Sequence, residues 1–218
     1  MMITVSVYGW VPPFARGLVR DVRVRWALEE AGHAYEEHVV GMEEKDGDDY
    51  RLMQPFGQVP VYREGDLTLF ESGAIVRHIA ANSSVLMPSD TGGRARVTTW
   101  MFAALNTIEP VVQALAEIDL FHAEENWTKE RRPAVLARLE RRLAELSRHM
   151  GNKEYLEERF SAADILMASV LRILRHTDIL QEFPSLKMYQ ARCEARPAFR
   201  KALEDHMATF ERVAQAAS

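Results

Sequence analysis

The 218-residue sequence predicts an α/β domain followed by an all-α domain. Three observations carry this. The N-terminus alternates as strand, helix and strand. A proline-led hairpin runs straight into a glycine-opened helix between Gly57 and Ile75. After a cluster of small, turn-forming residues at Met87–Gly93, the pattern becomes helical almost to the end. These features place a first domain at 1–83, a linker at 84–93 and a helical domain at 94–218.

Each element has its own signal. Ile3, Val5 and Val7 alternate with Thr4 and Ser6 and lead to Tyr8-Gly9, a short strand and a turn. Val11-Pro12-Pro13-Phe14 interrupts any helix, so a loop runs to about Gly17. Leu18, Val22 and Trp26 then share one helical face, and Gly32 suits the residue after the helix. Tyr35 to Val40 reads as the next strand, parallel to the first through a right-handed crossover. Gly41 to Asp49 reads as an acidic loop, and Tyr50 to Met53 as a helical turn stopped before Pro55. The hairpin completes a mixed four-stranded sheet. Beyond the linker, Leu136, Leu139, Leu143, Leu146 and Met150 step by three and four, and Gly151-Asn152 ends that helix. Ser161 and Asp164 have the spacing of a capping box, with Phe160 and Ile165 at staple positions. Ile165 to Leu174 is apolar enough for a central buried helix. Pro184-Ser185 opens another helix, and Arg196-Pro197 ends it.

Composition narrows the function classes. A hydrophobic share of 47% and a charged share of 27% are ordinary for a globular protein. A formal charge of −5 argues against a broad nucleic-acid face. No apolar run approaches the roughly 20 residues that cross a bilayer. No leader pattern precedes the first strand. The single cysteine, Cys193, excludes a disulfide framework or a cysteine-rich metal site, and reads as core. The histidines at 33, 38, 78, 122, 149 and 176 lack metal-ligand spacing. Together these absences point to a reducing cytoplasm, no metal and no membrane partner.

The segment Gln58-Val59-Pro60 and the helix start Glu71-Ser72 carry the chemistry. A Val-Pro step at the head of a strand is a candidate cis peptide, because cis costs an X-Pro bond only about 0.5–1 kcal/mol. Such a bend exposes the N–H and C=O of Val59 to an extended ligand, as an added strand would be paired. At Ser72, free N–H groups and the helix dipole favour an anion. Backbone pairing beside an anion hole suits a short peptide that bears a carboxylate.

This segment resembles the glutathione-binding half of the glutathione S-transferases, a thioredoxin-like domain. The likeness continues in Arg23-Val24-Arg25-Trp26-Ala27-Leu28-Glu29-Glu30-Ala31-Gly32, which is similar to the family's first helix. Phe160-Ser161-Ala162-Ala163-Asp164-Ile165 resembles its capping motif. Pro184-Ser185-Leu186, Tyr189, Arg192 and Arg196-Pro197-Ala198-Phe199 resemble its C-terminal signature. The chain is thus identified as a member of the cytosolic family, with no class assigned. The resemblance implies a detoxifying transferase with glutathione as co-substrate, a small hydrophobic electrophile held between the domains, and a homodimer.

The family's reaction needs a thiolate. A thiol of pKa near 8.5 is only a few per cent ionised at neutral pH, and lowering that value by about two units requires roughly 2.7 kcal/mol. A hydroxyl donor aimed at sulfur can supply this. The loop from Gly9 to Gly17 holds no serine, threonine or cysteine. Tyr8 therefore becomes the candidate donor, with Arg16 or a backbone N–H as alternatives and strand-end packing as the bland reading. By resemblance Ser72 holds the γ-glutamyl carboxylate, Glu71 meets its ammonium, and Val59 pairs with the cysteinyl backbone over Pro60. Gln58 reads as either turn residue or ligand. Lys45 reads as either partner of the glycyl carboxylate or solvated lysine. Arg16, Arg20, Arg23 and Arg25 read as a mostly solvated basic cluster. Trp10 and Phe14, with Trp100, Met101 and Leu105, are candidate walls of the electrophile pocket or plain packing. Asp164 reads as a structural cap worth about 1 kcal/mol. Rival functions are glutathione-dependent peroxidase or disulfide reductase, isomerase or dehalogenase, and a weakly catalytic binding scaffold.

Overall fold

A computed structural model describes residues 2–216. They form two compact units, one from the N-terminus to Leu86 together with residues from Pro197 onward, the other Met87–Arg196.

The first unit is built on a sheet of strands β1 (Ile3–Tyr8), β2 (Tyr35–Val40), β3 (Tyr62–Glu64) and β4 (Leu67–Leu69), in the order β2-β1-β3-β4. β1 pairs parallel with β2 from Ile3↔Tyr35 to Tyr8↔Val40, and antiparallel with β3 from Ile3↔Glu64 to Val5↔Tyr62. This is the predicted mixed four-stranded sheet. As an inner strand, β1 is buried along most of its length, Ser6 included. Helix α1 (Asp21–Ala31) packs against α3 (Ser72–Ala81) and α9 (Pro197–Ala216). It ends at Gly32, which adopts φ 71°, a left-handed value glycine reaches without a Cβ penalty. The helix starts later than Leu18, because the chain first makes a 3-10 turn at Pro13–Ala15 and a left-handed step at Gly17. A short α2 (Asp48–Met53) brings Tyr50 into a small cluster with Val40, Val59 and Val61, against which Tyr8 packs.

The basic cluster on α1 departs from the sequence reading. Arg23 and Arg25 are only 3% and 0% exposed. Arg25 Nε meets Asp21 at 2.7 Å, so the i,i+4 pair exists but lies inside. Every residue of α1 from Asp21 to Leu28 is buried, since the sheet, α3 and α9 leave the helix little solvent face.

The second unit contains α4 (Thr91–Ala103), α5 (Glu109–Ala116), α6 (Asn126–Met150), α7 (Ala162–Arg172) and α8 (Pro184–Glu194). A π-helical turn at Ala104–Ile108 links α4 to α5 just before Pro110, whose ring nitrogen cannot continue the helical bonding. The leucine ladder of α6 turns Leu139, Leu143, Leu146 and Met150 inward. α7 is the buried central helix, opened by the predicted capping box of Ser161 and Asp164. Cys193 is fully buried on α8, and burial pushes its thiol far above the ordinary range. The segment read as a helical domain, 94–218, thus lends its last helix to the first packing unit. Among the described residues no helix is long and apolar enough to cross a membrane.

Candidate functional site

The proline-led turn is held from below. The Val59–Pro60 peptide is cis, as its position at a strand head suggested. Val59 and Pro60 are buried while the Gln58 side chain is exposed. Tyr50 Oη donates to the Gln58 carbonyl at 2.8 Å and lies 2.8 Å from Ser6 Oγ. The Val61 N–H donates to that same Ser6 oxygen at 2.6 Å. Gly57, at φ 61°, lets the neighbouring loop come close: a Cβ there would stand 2.9 Å from the Lys45 carbonyl. Only glycine suits that position on both counts.

Tyr8 ends β1 beside this turn. Burial raises its phenol above the ordinary value of 10.0; the Lys45 charge opposes the rise, Asp46 adds to it, and the Val59 backbone amide opposes it. Tyr8 packs against the cluster that contains Val59, and the Lys45 backbone approaches the same turn at Gly57. A phenol raised this way keeps its proton at neutral pH and is a donor, not a base. Lys45 Nζ pairs with Asp46 at 2.7 Å, and its side chain is 17% exposed. Asp46 is shared with Arg51, 3.0 Å away.

The N-terminus of α3 forms the second part. Ser72 is buried at the first helical position. Arg23 Nη1 donates to Ser72 Oγ at 3.4 Å, so a buried cation lies against the helix tip where its free N–H groups already favour an anion. The serine hydroxyl, accepting from arginine, still has its own proton to donate outward. Glu71 caps the helix at φ 68° and ψ 110°, a conformation costing a non-glycine residue about 1–3 kcal/mol, and its side chain is exposed. Arg23 escaped the sequence reading. The available signal was that Val22, Val24, Trp26 and Leu28 make α1 apolar on several faces, and charges inside such a helix are buried with it.

The other candidates make contacts of their own. Arg16 is half-buried with its guanidinium over the Phe210 ring, 5.5 Å from the centroid. The next residue, Gly17, donates its N–H to His206 Nε2 at 3.0 Å. Both contacts bind the loop after β1 to α9. His206 gave no sequence signal, since nothing in its spacing ties it to Gly17. Trp10 is exposed and Phe14 half-buried. Met101 is packed in the helical unit, Leu105 is half-buried, and Trp100 lies against the His149 ring at 4.2 Å.

Comparison with known proteins identifies the family. Residues 4–81 match the family described as glutathione S-transferase, N-terminal domain, and residues 106–212 match glutathione S-transferase, C-terminal domain. Glutathione S-transferase 4 of Zea mays is 32% identical over 214 residues, which span 90% of this chain and 91% of that protein. A glutathione transferase from Burkholderia graminis, solved with two glutathione molecules bound per subunit, aligns with a TM-score of 0.80 at 26% identity, covering 93% of this chain and 88% of that one. Poplar glutathione transferase F1 shares the fold with a TM-score of 0.82 at 23% identity, covering 95% and 99%. The chain belongs to the glutathione S-transferase family.

Proposed function

We propose that this protein binds glutathione in extended form on its first unit and transfers it, as the thiolate, to a small hydrophobic electrophile. The packing of the Tyr8 ring against the cluster that contains Val59 carries the reading, since it sets a hydroxyl donor beside the backbone that would hold the cysteinyl residue. Val59 pairs with that residue through its main chain, with Pro60 and Gln58 shaping the turn. Ser72 and the α3 tip hold the γ-glutamyl carboxylate, with Arg23 reinforcing the positive field. Glu71 meets the ammonium. Lys45 exchanges its Asp46 partner for the glycyl carboxylate. The Tyr8 proton stabilises the thiolate, whose sulfur attacks the electrophilic carbon while the leaving group departs with its electron pair. The thiol proton goes to solvent. Arg16, engaged with Phe210, is the weaker candidate for this role. The protein acts as a cytoplasmic homodimer.

Calorimetric titration with glutathione, with aryl-halide, hydroperoxide and mixed-disulfide substrates assayed side by side, tests this reading. Saturable binding with aryl-halide turnover dominant is expected. Binding with turnover only of hydroperoxide or disulfide would transfer the site to reductive chemistry, and binding without any turnover would make it a scaffold.

A further inference from the structure

We propose that Ser6 and Tyr50 are positioning residues for glutathione, acting through a directed chain of hydroxyl bonds that fixes the Gln58–Val61 turn. The inference rests on the glutathione reading of that turn. The Val61 N–H donates to Ser6 Oγ at 2.6 Å. Tyr50 Oη donates to the Gln58 carbonyl at 2.8 Å. Each hydroxyl carries one proton, so the 2.8 Å contact between them has one consistent direction: Ser6 donates and Tyr50 accepts. The chain therefore runs Val61 N–H, Ser6, Tyr50, Gln58 C=O, with each of its donors used once.

The place of this chain in the sheet gives it consequence. The β1–β3 ladder reaches its last strand pair at Val5↔Tyr62. One residue further, the Ser6 N–H still donates to the Val61 carbonyl at 2.8 Å, but the return bond from the Val61 N–H goes to the serine side chain. Pro60 has no N–H, so the ladder cannot continue past this point. The hydroxyl chain takes over where backbone pairing stops, and grips the turn on both sides of Val59-Pro60. Ser6 is 3% and Tyr50 2% exposed, so both residues of the chain lie inside the protein. A chain of this kind is mutually polarised, and breaking it at one link removes a partner from the part-buried Gln58 carbonyl or the buried Val61 N–H. The Val59 main chain, which is to meet the ligand, is thereby held without donating any of its own groups to the chain. Ser6 and Tyr50 touch no reacting atom in this account. They govern binding, and Tyr8 governs the thiol.

The test is Tyr50→Phe, Ser6→Ala and the double variant, each measured for glutathione dissociation constant, kcat at saturating glutathione, and the pKa of the bound thiol. Tyr50→Phe keeps the ring packing, so it retains the fold even if Ser6→Ala does not. The expected result is about tenfold weaker glutathione binding in either single variant, with the double variant close to the singles because both break one chain. Saturated kcat and the bound-thiol pKa stay at wild-type values. A role in stability alone would lower the midpoint of unfolding and leave the dissociation constant unmoved, and that result overturns the proposal. So does a bound-thiol pKa that rises in Tyr50→Phe, which would make Tyr50 part of the activating machinery. If the wild type itself binds no glutathione, the proposed function fails and takes this inference with it. If the wild type binds and Tyr50→Phe binds equally well, this inference alone fails.

Discussion

Tyr8 and Ser72 divide the work on the proposed ligand, and each can be addressed alone. Ser72 has a buried cation on one side and a free hydroxyl proton on the other. Its hydrogen bond to a carboxylate is charge-assisted and worth about 1.5–3 kcal/mol. Ser72→Ala should therefore weaken glutathione binding by about 10- to 100-fold, as read by calorimetry, with the pKa of the bound thiol unchanged. Loss of kcat with intact binding would place Ser72 in the chemistry instead. Tyr8 and Ser72 could be singled out from residue type together with the family resemblance of their segments. Arg23 was harder: the apolar faces of α1 signal its burial, but its place beneath the α3 tip shows only in the packed structure. Lys45 was legible as a cation but not as half of a pair with Asp46. That pair forms between adjacent residues on an exposed 3-10 turn, and the sequence does not say which way the two side chains lean.

Elements were easier to read than residues, because periodicity and caps are local. The parallel β1–β2 pairing, the leucine face of α6 and the α7 capping box all follow from spacing alone. What spacing undervalued was Asp164. Its Oδ2 accepts from the Ser161 N–H at 2.9 Å and the Ser161 hydroxyl at 3.0 Å. Its Oδ1 accepts from the Leu156 N–H and the Tyr189 hydroxyl, both at 3.0 Å. Leu156 and Tyr189 come from outside the capping motif, so a local motif could not announce them. Asp164→Ala strips several buried donors at once and should destabilise the protein by about 3 kcal/mol, well above the roughly 1 kcal/mol of a simple cap. Denaturant unfolding measures this, and a loss near 1 kcal/mol would show that the two outer bonds contribute little. The π turn before Pro110 was also invisible at this scale, since proline marks a break without saying how the helix accommodates it.

Across the whole molecule, the sequence conveyed the fold class but not where the last helix packs. α9 joins α1 and β2 through a buried polar cluster. Asp21 Oδ2 accepts from Arg25 Nε at 2.7 Å and from His206 Nδ1 at 3.0 Å, while His206 Nε2 accepts from the Gly17 N–H. Arg25 reaches Glu37 on β2 at 2.5 Å, and Thr209 and Arg212 of α9 bind the same carboxylate. Nothing in the spacing of Asp21, Glu37 and His206 joins them. Burial pushes the Asp21 carboxyl up, but the His206 and Arg25 bonds outweigh it and leave it below its ordinary 3.8. A depressed carboxylate stabilises the fold above its unfolded pKa and loses that contribution as pH falls through the folded value. Asp21→Asn should cost about 3 kcal/mol at neutral pH and should flatten the decline in stability below about pH 4. Parallel acid-unfolding curves for the two proteins would contradict this assignment.

In the proposed function a protonated Tyr8 beside the Val59-Pro60 turn lowers the pKa of the glutathione thiol. Ultraviolet absorbance of the thiolate, followed against pH with glutathione bound to wild type and to Tyr8→Phe, tests it most directly. The predicted result is a wild-type thiol ionising below the free value of about 8.5, with the variant shifted upward by about 1–2 pH units. Identical titrations in the two proteins would contradict it.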